Sequence, residues 1–96
     1  MLLKAGVDIS RLNREIRRSL NHVEKIYSNY RQELVITSTY EGVHSASSLH
    51  YSNDAIDCRL PTNNLVEIVR EIKSTLGKDY DVVIEVDHLH IEYDPE

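Results

Sequence analysis

The sequence predicts an α+β domain, a small antiparallel β-sheet with two flanking helices, and three observations carry that prediction. Two stretches repeat apolar residues three and four apart, the stripe that a helix buries. Shorter runs are rich in β-branched residues or alternate in polarity, as strands do. The elements then follow in the order helix, strand, loop, strand, helix, strand, strand, and 96 residues suffice for one domain over 1–96.

The first helix is expected from Ile9 to Tyr30, where Leu12, Ile16, Leu20, Val23 and Ile26 or Tyr27 form one stripe, with Asp8 or Ser10 as its N-cap. Glu33 to Thr39 reads as a strand. From Tyr40 to Asp54 the chain turns to Ser, Gly, His and Asn without periodicity, a long loop of the kind that carries function. Ala55 to Leu60 alternates, with Ile56, Cys58 and Leu60 on one side and Asp57 and Arg59 on the other, which assigns Cys58 to the core. Asn64 followed by Glu67 fits a capping pattern for a second helix, whose apolar face is Leu65, Ile68, Val69, Ile72 and Leu76 and whose end is Gly77. Tyr80 to Val86 is a strong strand, and His88 to Tyr93 continues it or pairs with it.

Composition removes several classes of function. The charge is 11 − 16 = −5, against the basic surface of nucleic-acid binding. Arg11, Arg14, Arg17 and Arg18 are interleaved with Glu15 and read as the solvated side of a helix. The longest apolar runs fall far short of the roughly 20 residues that span a bilayer, and Met1 to Lys4 is too short for the apolar core of a secretory signal. A cytoplasmic chain without signal peptide, with no nucleic-acid or membrane partner and monomeric, is the expectation. One cysteine excludes a disulfide framework. A chain this short buries only about two-thirds of its unfolded surface, so a bound metal would add materially to its stability.

Four of the five histidines, His44, His50, His88 and His90, follow residue 40 and accompany Asp57, Glu85 and Asp87, whereas His22 reads as a surface residue of the first helix. His50 and Asp57 are seven apart and converge only if the chain bends between them, for which Ser52-Asn53-Asp54 supplies turn chemistry. His88 and His90 share one face of a strand. One histidine of that pair, joined to His50 and Asp57, makes a two-His, one-Asp set suited to Zn²⁺ with a position open to water. The same set also serves non-haem iron, although the usual His-x-Asp spacing is absent.

The stretch Glu41 to Asp57, with Ser48-Leu49-His50-Tyr51 and Ala55-Ile56-Asp57 at its end, resembles the S-x-H-x-x-G-x-A-x-D signature of the zinc D-Ala-D-Ala carboxypeptidase family. That family includes VanY- and VanX-type peptidases and phage endolysins. The similarity is greatest to its hedgehog-like branch, which carries a His six residues before the ligand His, here His44. Glu85 to Glu92 resembles the second family motif, an acid shortly before a His pair. The two motifs occupy Tyr40–Leu60 and Glu85–Tyr93. Asn53 stands where Gly is usual, which is tolerable because Asn adopts left-handed turns. Glu41 stands where many carboxypeptidases carry an Arg that steadies developing charge, and Arg59 is a weak substitute.

The resemblance implies a hedgehog/DD-peptidase-like fold, with zinc held by His50, Asp57 and His90. His90 is preferred to His88 because family ligands are followed by x-Glu, here Ile91-Glu92. His88 then lines the site, and His44 lies near the zinc water. Asp87, three residues before His90, is the expected general base, with Glu85 second. The implied activity is hydrolysis of a peptidoglycan stem peptide, at D-Ala-D-Ala or at an L-Ala–D-amino-acid link, by a phage lysis or virion-associated enzyme. A non-catalytic hedgehog-like zinc module acting in cell-wall or virion interaction is the alternative.

Overall fold

In the computed structural model, residues 1–39 and 53–95 are described. Among the described residues seven elements follow one another: β1 (Leu2–Leu3), α1 (Arg14–Asn29), β2 (Val35–Ser38), β3 (Ala55–Arg59), α2 (Leu65–Leu76), β4 (Tyr80–Ile84) and β5 (His88–Tyr93). The five strands form one sheet in the order β1-β2-β3-β5-β4. The α+β class therefore holds. The sheet is mixed rather than antiparallel, because β1 pairs parallel with β2 while every other pairing is antiparallel. A two-residue strand has no periodicity to read, which is why β1 was not anticipated.

Both helices bury their stripes against the same face of the sheet. Ile16, Leu20, Val23, Ile26 and Tyr27 of α1 and Ile68, Val69 and Ile72 of α2 join Ile36, Ile56, Cys58, Val82, Leu89 and Ile91 in one core. Cys58 is fully buried, as expected, and burial pushes its thiol up to about 12. Arg11, Arg14, Arg17 and Arg18 are exposed.

The helix boundaries differ from expectation for local reasons. Helix α1 begins at Arg14 rather than Ile9, with Asn13 extended before it at φ −67°, ψ 162°. Asp8 does not cap the helix; its carboxylate accepts the Ser10 N–H at 2.8 Å, and Leu12 N–H turns back to Ile9 O at 3.2 Å. The Arg17 guanidinium donates to the carbonyls of Ile9, Ser10 and Leu12 at 3.2, 2.8 and 3.3 Å, so a side chain satisfies groups a longer helix would have used. Before α2, Asn64 lies in the left-handed region at φ 60°, ψ 33° and makes no side-chain cap. A capping side chain is normally aimed by extended backbone, so the Asn64–Glu67 pattern does not form. Gly77 ends α2 at φ 84°, its N–H bonded to Lys73 O at 3.0 Å.

Strands β4 and β5 are a hairpin. Ile84 pairs with Leu89, Glu85 N–H donates to His88 O at 2.9 Å, and Val86 and Asp87 form the two-residue loop. The strand expected to reach Val86 thus ends at Ile84.

Candidate functional site

The sheet face away from the helices is where the polar residues gather. Cross-strand partners share a face, so the pairs Ala55↔Glu92, Asp57↔His90 and Arg59↔His88 between β3 and β5, with Asp81↔Glu92 between β4 and β5, set Asp57, Arg59, Asp81, His88, His90 and Glu92 side by side. Strand parity decides this: Ile56, Cys58, Leu89 and Ile91 point into the core, and their neighbours must point away.

The start of β3 is fixed by α1. Asn13 N–H donates to Asn53 O at 2.9 Å, Asn13 Nδ2 donates to Asp54 Oδ1 at 2.8 Å, and Tyr93 N–H donates to Asp54 O at 2.8 Å. Asn53 takes φ 62°, the left-handed conformation expected of an Asn in place of Gly. A register shift interrupts the β2–β3 pairing between Ile36 and Ser38, and Ser38 pairs with Asp57 beyond it, an irregularity of the kind found beside functional sites.

Carboxylates and imidazoles alternate along this face. Asp87 Oδ1 lies 2.7 Å from His88 Nδ1, and His88 Nε2 lies 3.7 Å from Asp57 Oδ1. Asp57 Oδ1 lies 2.9 Å from His90 Nδ1, and His90 Nε2 lies 2.8 Å from Glu92 Oε1. Asp57 and His90 are the sheltered members, their side chains 12% and 16% exposed. The bond to Asp57, with a further contribution from Glu92, raises the His90 pKa above its ordinary value despite burial. The bond to His88 lowers the Asp87 pKa.

Of the residues expected in the site, Asp57 and His90 are brought into direct contact, and His88 stands beside Asp57. Asp87 occupies the hairpin turn with its side chain 86% exposed and acts on His88 rather than on His90. The expectation of Asp87 on a strand continuing into β5 is corrected accordingly: the loop, not a bulge, changes its direction. Glu85 follows β4 and is exposed, and Arg59 is exposed at the His88 end. His22 is exposed on α1. Glu41, His44 and His50 lie outside the described residues.

Glu92 was legible only as the Glu of His-x-Glu, and Asp81 and Asp94 were not singled out at all. The carboxylates of Asp81, Glu92 and Asp94 come within 4.8 Å of one another and form a group that could hold a metal ion. Asp81 reaches Glu92 only through the hairpin register, and no spacing in the sequence encodes that. Among the described residues no helix is long and apolar enough to cross a membrane. Comparison with protein-family models, curated proteins and solved structures finds no match to this chain.

Proposed function

We propose that the protein is a zinc-dependent peptidase acting as a monomer on peptidoglycan stem peptides, at D-Ala-D-Ala or at an L-Ala–D-amino-acid bond, in the setting of phage lysis or the virion. One observation carries the reading: Asp57 and His90, 33 residues apart in sequence, are cross-strand partners whose Oδ1 and Nδ1 stand 2.9 Å apart in a sheltered position.

The donor set suits the metal. Two ligands of a tetrahedral zinc with bonds of about 2.0–2.1 Å stand about 3.3 Å apart, so the pair needs to open by only a few tenths of an ångström. His50, Asp57 and His90 would hold the ion, with Asp57 and His90 already juxtaposed. Zinc, when bound, supplies Lewis acidity and lowers the pKa of its water to about 7.

The chain's own residues then handle the proton. Asp87 orients the His88 ring through Nδ1, leaving Nε2 directed toward the Asp57 side of the site. Asp87 is the base of choice, acting beside or through His88, with Glu85 second. Arg59, cross-strand from His88, is a weak substitute for the Arg that steadies developing charge in many carboxypeptidases.

The test couples metal analysis with product analysis. Elemental analysis of the purified chain is expected to find zinc, and incubation with a stem pentapeptide is expected to release D-Ala or a fragment with a new amino terminus. Zinc without hydrolysis would favour the non-catalytic module, and no zinc would overturn the reading.

A further inference from the structure

Both ring nitrogens of His90 meet carboxylates, and different parts of the fold place them. Asp57 approaches Nδ1 across the β3–β5 pairing at 2.9 Å, whereas Glu92 approaches Nε2 from the same strand, two residues on, at 2.8 Å. The two-residue spacing puts Glu92 on the His90 side of the sheet. Its side chain is 22% exposed, so the contact is partly sheltered from solvent. A carboxylate oxygen each of Asp81 and Asp94 stands within 4.8 Å of one of Glu92.

A neutral imidazole has one N–H, and the hydrogen bond made by one nitrogen decides which lone pair the other presents. A lone pair on Nε2 would face a carboxylate at hydrogen-bonding distance, lone pair against lone pair. A lone pair on Nδ1 faces the group with which it would share the metal.

We infer that Glu92 is a positioning residue: its carboxylate accepts the Nε2–H of His90 and so commits Nδ1, the nitrogen beside Asp57, to the metal. This deepens the zinc reading and rests on it, adding the coordinating nitrogen and the residue that selects it.

The experiment is histidine-ring ¹⁵N NMR of the full chain at alkaline pH, with and without added zinc, together with chelator-competition titrations of the wild type, Glu92→Ala and Glu92→Gln. With zinc, the wild type is expected to show His90 protonated at Nε2 and metal-bound at Nδ1. Glu92→Ala is expected to weaken zinc binding by about 10–100-fold, the usual cost of losing such a partner. Glu92→Gln, whose amide oxygen still accepts the bond, is expected to restore most of it. Metal on Nε2, or unchanged affinity in Glu92→Ala, or equal losses in the two variants, would overturn the assignment. If the wild type binds no zinc, the zinc reading fails and this assignment falls with it, whereas zinc bound by the wild type and held equally well by Glu92→Ala overturns the assignment alone.

Discussion

Asp57 and His90 face each other across the β3–β5 pairing, with Oδ1 and Nδ1 2.9 Å apart, on the one face of the sheet that the helices leave uncovered. Two strands joined through a helix and a hairpin thus present an acid and an imidazole as one unit. The antiparallel ladder holds them in register.

Removing either partner should release the metal. Asp57→Ala and His90→Ala are expected to lose zinc and to unfold at lower urea than the wild type. Adding a chelator should destabilise the wild type but leave both variants unchanged, because metal binding and folding are coupled in a small domain. Zinc content by elemental analysis and urea midpoints with and without chelator give the answer. Wild-type zinc content in either variant would show that the ligands lie elsewhere.

The hairpin turn predicts a division of labour between neighbouring residues. Asp87→Asn should keep fold and zinc yet reduce hydrolysis by about 10²–10⁴-fold, the range for a lost general base or acid. Glu85→Gln should have a milder effect. His88→Ala should retain zinc and lower turnover, because it removes the group linking Asp87 to the Asp57 side. If His88 proves necessary for metal and Glu85 for turnover, the motif is shifted by two residues.

The pH dependence of the chelated protein follows from His90. Its folded-state pKa lies above the ordinary 6.5, chiefly through the bond to Asp57. The protonated ring is therefore favoured by folding, and its contribution is complete below the unfolded value and lost as pH rises through the folded one. Urea unfolding of chelated wild type across that window should show stability falling with rising pH, and His90→Gln should flatten the fall. Zinc affinity should run the other way, rising with pH, because a ligand nitrogen must first lose its proton. A wild-type profile as flat as that of His90→Gln would contradict this.

Asn53 offers a test of backbone origin. At φ 62°, an alanine would bear the left-handed penalty of about 1–2 kcal/mol, whereas glycine bears none. Among the described residues, Asn53 Oδ1 is also a buried oxygen without a hydrogen-bond partner. Asn53→Gly should thus match or exceed the wild type in thermal unfolding, and Asn53→Ala should fall below it. Equal destabilisation by both would mean that the Asn side chain itself holds the turn.

What the sequence determined by itself was everything governed by local periodicity. The 3.6-residue stripes located α1 and α2, and the alternation around Ile56 and Cys58 located β3, because burying one face imposes a repeat that can be counted. Parity likewise put Asp57 opposite the core and His88 with His90. Local pattern could not place the start of α1, since the Asp8 carboxylate takes the Ser10 N–H and Arg17 takes carbonyls that a longer helix would have used. Only the tertiary structure decided which acid meets which imidazole. The β3–β5 register chose His90 over His88 as the partner of Asp57, the two-residue loop carried Asp87 out to the turn, and the β4–β5 register brought Asp81 to Glu92. Register between strands is a long-range quantity, set by how the apolar faces of distant segments pack together, and no spacing within one segment contains it.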